Sequence, residues 1–357
     1  MDMAVVFSVI FYLFVSLLVG TVLVDSYAKK QSLEINWQSN YLYLIPLFLV
    51  LLIGFRPVGT DGFMDSEIYV EWFHRAELFN TSPLVDKDKV FGYFVLLVSY
   101  FTNTRGFFIV CGLVSVSLLI LTSKYVSKQY WILFFICHIA SLYYWNYNVY
   151  GIRQGLGVAI FLYAFFIKNK WIKIILMLLS LGMHLSLVLP VLVYLLILFI
   201  NKTYKFFYFI WVSAIPISYY WGYKFEYFIS KLVPDKRADY LTMNLSRKGF
   251  RWDMIMYSLV LIAVSYYFIY FEKVKDKTYH RIVNLFIFTN TIFLFLIRVN
   301  HAHRFAYLSW FLASLVIFYP FFISEGEKLK ENNKVFSQTL VVFFTFVAIQ
   351  FLKITFL

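Results

Sequence analysis

Apolar stretches broken by short polar and basic islands recur along nearly the whole chain. They fall at about 3–24, 41–55, 90–101, 106–122, 130–146, 152–167, 171–183, 185–200, 206–221, 254–271, 282–297, 305–323 and 335–352. Repeated apolar runs of such length predict helices that cross a bilayer core of roughly 30 Å. The run at 90–101 is the exception. About twelve residues are too few for a full crossing and predict a re-entrant or interfacial segment.

Basic clusters separate the runs: Lys29-Lys30, Lys124 with Lys128, Lys168-Lys170-Lys173, Lys202 with Lys205, Lys273-Lys275-Lys277-Arg281 and Lys328-Lys330-Lys334. Excess lysine and arginine marks cytoplasmic loops. With 90–101 not crossing, all six clusters fall inside, and the chain makes about twelve spans with both termini outside. The loops 56–89 and 222–253 then lie outside, with the junctions near Arg153, His184 and 298–304. Residues 3–24 lack a basic leading region and an Ala-x-Ala-like cleavage site, so they read as a retained first helix. Without a linker or an internal repeat, residues 1–357 read as a single transmembrane domain.

Composition agrees with an all-α, polytopic integral membrane protein. The 357 residues are 62% hydrophobic and 14% charged, with mean hydropathy +0.74, whereas a soluble domain is about a quarter charged. The net charge of +13 follows the cytoplasmic lysines and points to anionic lipid or substrate rather than nucleic acid. Cys111 and Cys137 sit inside apolar runs, so neither a disulfide framework nor a metal cluster is indicated. Arginine is distributed differently from lysine: only Arg281 falls inside, and the other nine lie at the outer face. Its guanidinium stays charged and grips phosphate or carboxylate with a two-pronged fork. Arginine gathered on one face predicts an anionic substrate there.

The polar islands supply candidates. In the first, Arg56-Pro57-Val58-Gly59-Thr60-Asp61-Gly62 leads to Asp65 and Tyr69. Pro57 restricts Arg56 to an extended conformation, and Gly59 and Gly62 permit a tight turn around Asp61. The spacing of Ile68, Trp72 and Phe73 predicts a short amphipathic helix with Asp65 or Ser66 as N-cap. A carboxylate there could act as general base on a sugar hydroxyl while Arg56 steadies a leaving phosphate. The competing reading makes Asp65 only a cap and Arg56 an interfacial anchor.

Arg153-Gln154 opens the run at 152–167. A cation is mildly disfavoured at a helix N-terminus unless an anion binds there. Gly151 and Gly155 are spaced for close helix packing. His184, between two runs, is either a hydrogen-bonded structural residue or a catalyst. The last island holds Arg298, His301, His303, Arg304 and Tyr307. Two histidines without further ligands do not make a zinc site, so no metal and no cofactor is expected. The basic, aromatic loop 222–253 could hold sugars and acidic groups, or simply face anionic headgroups.

Taken in order, the islands resemble the EpsG family, a branch of the Wzy-type polysaccharide polymerases. The pattern of that family is Arg-x-x-x-Gly-x-Asp-x-x-x-Tyr after the second helix, then Arg-Gln, His-x-Ser and Arg-x-x-x-Tyr. The corresponding residues are Arg56 with Gly59 and Asp61, the glycine one residue nearer than the pattern has it, then Arg153-Gln154, His184 with Ser186, and Arg304 with Tyr307. Two further departures stand out. Asp-x-x-x-Tyr is met by Asp65 and Tyr69 rather than by Asp61, so either aspartate could take the family role. Tyr307 falls one residue early.

The resemblance implies an all-helical fold similar to the GT-C glycosyltransferases. It also implies transfer of a polyprenyl-pyrophosphate-linked oligosaccharide to the non-reducing end of another lipid-linked repeat unit, at the outer face of the bacterial inner membrane. Arg56, Arg153 and Arg304 would stabilise the departing pyrophosphate, with Tyr69, Gln154, Arg298, His303 and Tyr307 completing the substrate contacts. Asp61, Asp65 or His184 would accept the proton. Partners would be the lipid-linked oligosaccharides, membrane lipids and a chain-length regulator. Two competitors stand beside it. One is another polyprenyl-phosphate-dependent glycosyltransferase or glycan ligase, which as a ligase would carry a longer late outer loop. The other is a flippase or transporter, which would place ionisable residues in mid-span.

Overall fold

A computed structural model describes residues 3–28, 39–59, 63–84, 87–200, 204–232, 249–299 and 301–356. Among these the secondary structure is entirely helical. In chain order the helices are α1 Met3–Ala28, α2 Leu44–Gly54, α3 Met64–Phe79, α4 Lys89–Ser99, α5 Thr104–Val126, α6 Trp131–Ile139, α7 Leu142–Tyr144, α8 Ile152–Phe166, α9 Lys170–Met183 and α10 Val188–Phe199. They continue as α11 Tyr204–Leu232, α12 Trp252–Tyr266, α13 Lys277–Phe295, α14 Ala302–Trp310, α15 Ala313–Glu331 and α16 Asn333–Phe356.

Among the described residues four helical segments are long and apolar enough to cross a membrane: Val5–Tyr27, Thr104–Val126, Trp252–Phe271 and Ala302–Ser324. Shorter apolar helices include Asn40–Gly54, Ile152–Phe166 and Leu185–Phe199. At 1.5 Å per residue, the 11 residues of α4 reach roughly 16 Å, about half a bilayer core.

Three boundaries differ from expectation. The run at 130–146 is interrupted after α6, where the Ser141 hydroxyl donates to the His138 carbonyl and its own carbonyl accepts the Tyr144 N–H. The chain then winds through a π turn, Trp145–Tyr150, before α8. The outer loop expected at 222–253 begins later, because α11 is helical to Leu232. Gly222 alone costs a helix only about 1 kcal/mol, and no proline follows until Pro234. The rest of that loop, 233–248, lies outside the described residues.

The third difference concerns α3. Phe63, not Asp65 or Ser66, occupies its N-cap position, and Asp65 lies exposed in the first turn. The Ser66 hydroxyl donates to the Phe63 carbonyl and accepts the Gly59 N–H. Gly59 adopts φ +70°, which its missing Cβ permits. The buried stripe of α3 is Tyr69, Phe73 and Ala76, while Ile68 is exposed.

The chain forms two compact units, one of residues 1–187 with 321–357 and one of 188–320. The first boundary passes between Leu187 and Val188, and the second between Pro320 and Phe321 in α15. No Gly/Ser-rich stretch marks either. In the first unit α3, α4, α5, α8 and α9 share a core of Tyr69, Phe73, Phe91, Phe107, Phe108, Ile152, Leu156 and Met183. In the second unit Asn290 of α13 joins three neighbours. It accepts from Trp211 Nε1 (2.7 Å) and donates to Ser258 (3.0 Å) and Ser309 (2.9 Å), so its amide is satisfied inside an apolar bundle.

Candidate functional site

The first unit gathers four islands that are distant in sequence. α8 starts directly after the π turn, so Arg153 and Gln154 stand in its first turn. Gly155 makes this junction possible. A Cβ there would lie 2.8 Å from Asn148 Oδ1 and closer still to the Tyr147 carbonyl. His184 ends α9, and α9 presses on α4 at Gly182, where a Cβ would fall 2.8 Å from Val90 Cβ. That close approach carries Asp88, just before α4, to the end of α9.

Asp88 is the centre of the cluster. It takes a left-handed conformation (φ 54°, ψ 39°) and makes no cap bond to α4. Its buried carboxylate turns away from the helix it precedes. Oδ1 accepts the Leu185 N–H at 2.7 Å, and Oδ2 forms an ion pair with Arg153 Nη1 at 2.7 Å and faces His184 Nδ1 at 3.6 Å. His184 Nε2 lies 2.7 Å from Gln154 Nε2. An amide nitrogen can only donate, so Nε2 accepts and the imidazole proton belongs on Nδ1, toward Asp88. Burial works to raise the Asp88 pKa, but the His184 bond, the Arg153 charge and the Leu185 N–H outweigh it and hold the carboxyl below its usual range.

α3 supplies the aromatic wall. The Arg153 guanidinium lies 5.2 Å from the Trp72 ring centre, a cation–π distance. Tyr69 meets the Arg153 backbone; burial raises its pKa to about 12, so the hydroxyl stays protonated at neutral pH. Of the Arg153 side chain, 20% is exposed, and among the described residues its Nε has no hydrogen-bond partner.

Arg56 lies deeper. It is 1% exposed, donates from Nε to the Ile53 carbonyl at 2.9 Å, and donates from Nη1 to the Val149 carbonyl in the π turn. Its guanidinium covers the Phe108 ring at 5.0 Å. Burial lowers its pKa to about 10, which leaves it charged at pH 7.

The sequence candidates therefore separate. Tyr69, Arg153, Gln154 and His184 come together, with Arg56 behind them. Asp65 is exposed on α3 and acts electrostatically on Tyr69. Asp61 lies outside the described residues. Arg298, His303, Arg304 and Tyr307 belong to the second unit. There Arg298 donates to the Tyr219 carbonyl at 2.5 Å, Arg304 is exposed, and Tyr307 is buried with its ring 5.9 Å from that of His303. Sequence reading missed Asp88 and the role of Trp72. The one signal for Asp88 was an acid two residues before the short run at 90–101, a position that reads as an ordinary N-cap.

An all-helical integral membrane protein with a charged cluster at helix ends is the class these features define. The family model of the EpsG family matches residues 39–356, and the chain belongs to that family. Membership implies a polysaccharide polymerase role of the glycosyltransferase type in general. No curated protein and no solved structure shows a significant match to the chain.

Proposed function

We propose that the protein is a bacterial surface-polysaccharide polymerase of the inner membrane. It transfers a polyprenyl-pyrophosphate-linked oligosaccharide to the non-reducing end of another lipid-linked repeat unit at the outer face. The product is an O-antigen, capsule or exopolysaccharide chain, and the carrier is of the undecaprenyl pyrophosphate type. In this reading the chain crosses the membrane about twelve times in a GT-C-like arrangement, in keeping with its alternation of apolar runs and lysine clusters.

The observation that carries this reading is Arg153. It is a partly exposed guanidinium at the N-terminus of α8, fixed on one edge by Asp88 and on its face by Trp72. A helix N-terminus and a preset guanidinium both favour an anion. In the reaction the acceptor hydroxyl oxygen bonds to the anomeric carbon, and the bond from that carbon to the pyrophosphate oxygen breaks. The departing oxygen keeps the electron pair, and Arg153 stabilises the charge that develops there. The hydroxyl proton passes to a carboxylate of the segment before α3 or in its first turn, Asp61 or Asp65. His184 is the weaker base, since the Gln154 amide occupies its Nε2 lone pair. Asp88, ionised and fully engaged, orients Arg153 and His184.

Deletion followed by complementation tests the reading through the surface glycan on a gel. The deletion strain should show single repeat units in place of a ladder, and Arg153→Ala should fail to restore it. Asp61→Asn and Asp65→Asn, made separately, identify the base. A full-length ladder in the deletion strain would falsify the assignment.

A further inference from the structure

We propose that Arg56 is a positioning residue that acts through Arg153, rather than a ligand of the departing pyrophosphate. The inference rests on the polymerase reading and assigns a role within the same site. Its starting point is cost. A buried guanidinium is expensive unless it is well bonded, and an apolar side chain of similar volume would serve the fold at least as well. Among the described residues Arg56 faces no carboxylate within ion-pair distance. Its Nε and Nη1 donate to the carbonyls of Ile53 and Val149, and Phe108 fills one face. Nη2 is buried as well and, among the described residues, has no hydrogen-bond partner. Among the described residues the guanidinium is enclosed, with no edge of the fork open to solvent.

The two carbonyls explain what the group is for. Ile53 and Gly54 are the last residues of α2, where helix carbonyls lack intrahelical partners and favour a cation. Arg56 takes the first. Arg105 of α5 takes the second with Nη1 at 3.2 Å and also the Arg56 carbonyl at 2.9 Å. The other arm of Arg56 holds Val149, inside the π turn that ends at Gly151, the N-cap of α8. A π turn is a local departure from helical winding, and such turns are frequent at functional sites. Arg105, the end of α2, Arg56 and the π turn thus form one connected set of bonds, and Arg153 is the next charged residue beyond it. Lysine can retain the charge, but its single ammonium cannot reproduce a fork held between two separated carbonyls.

The test is a double-mutant cycle on chain extension. It uses membranes from the deletion strain, which supply their own accumulated lipid-linked repeat units, and the full-length protein. Arg56→Lys should slow extension by roughly tenfold or more, and Arg153→Lys by about a hundredfold. The double variant should be no slower than Arg153→Lys alone, because residues acting through one another are not additive. Losses that multiply would make Arg56 an independent ligand and overturn the proposal, as would wild-type extension by Arg56→Lys. Should Arg56→Lys not accumulate as a monodisperse protein, Arg105→Gln loosens the same carbonyls with Arg56 in place, and its cycle with Arg153→Lys is read in the same way. Wild-type extension by Arg153→Lys removes the polymerase site itself, and the role of Arg56 falls with it. That outcome is distinguishable from multiplying losses.

Discussion

Asp88 Oδ2 and Arg153 Nη1 lie 2.7 Å apart, although the first residue precedes α4 and the second belongs to α8. The carboxylate is fully buried and the guanidinium is not, so the pair has one fixed end and one adaptable end. Asp88→Asn keeps the shape and removes the charge. It strands a cation next to a neutral amide and weakens the Leu185 N–H bond. Loss of a charge-assisted bond to a buried group costs about 2 kcal/mol. The melting temperature of the solubilised protein should fall accordingly, and the glycan ladder should shorten to a few repeats. A full ladder from Asp88→Asn would show that Arg153 needs no such partner.

The same pair predicts a pH dependence. The Asp88 pKa is depressed in the folded protein, so its ionised form contributes stability above the unfolded carboxylate value of ~3.9. That contribution is lost only as pH falls through the lower folded value. The gap in melting temperature between wild type and Asp88→Asn should therefore stay constant between about pH 5 and 8 and close only in acid. A gap that narrows near neutrality would mean that another group titrates with the pair.

Gly155 tests the junction that sets Arg153. Gly155→Ala forces a methyl group toward the Tyr147 carbonyl and to within 2.8 Å of Asn148 Oδ1, both on the π turn. Backbone cannot retreat as a flexible side chain does, so overpacking of about 1–3 kcal/mol is expected. Extension should slow more than stability suggests, because the displaced turn carries Arg153. The measurement is extension rate against melting temperature. A variant that loses stability with an unchanged rate would separate the turn from the site.

Much of the helical plan was legible in the sequence, because unbroken apolar runs leave few alternatives to helix. The limited length of 90–101 gave the shortness of α4 directly. Arg153, Gln154 and His184 stand out in the sequence as polar residues at the margins of apolar runs, whereas Tyr69 is singled out only by the Asp-x-x-x-Tyr spacing of the family resemblance. Asp88 was not. Its partners come from α8 and from the end of α9, and no local pattern encodes a contact between segments so far apart. The interior position of Arg56 was hidden for a related reason: spacing places it at a helix end but cannot say whether its fork turns outward or back onto carbonyls. The interruption at Ser141 escaped because apolar composition continues on both sides of it. Asp65 or Ser66 read as the cap from residue type and the spacing of Ile68, Trp72 and Phe73, while Phe63 takes that position ahead of Met64 and leaves the Asp65 carboxylate exposed.

Asn290 tests whether the second unit depends on its polar hub. Its amide joins Trp211 of α11, Ser258 of α12 and Ser309 of α14, and the Ser258 hydroxyl also accepts Trp310 Nε1 at 3.0 Å. Interhelical bonds in membrane proteins average about 0.6 kcal/mol each. Asn290→Leu removes three of them and leaves an indole N–H buried without its acceptor, so a loss of about 2–3 kcal/mol is expected. An aspartate at this position could still accept from Trp211, but it could not donate to both serines and would bury a charge if ionised. Asn290→Asp should therefore be no more stable than Asn290→Leu at neutral pH and should recover in acid, where the carboxyl is protonated. Thermal unfolding of both variants at pH 5 and 8 reads the difference. Equal melting temperatures for wild type and Asn290→Leu would show that apolar packing alone holds α11 to α14.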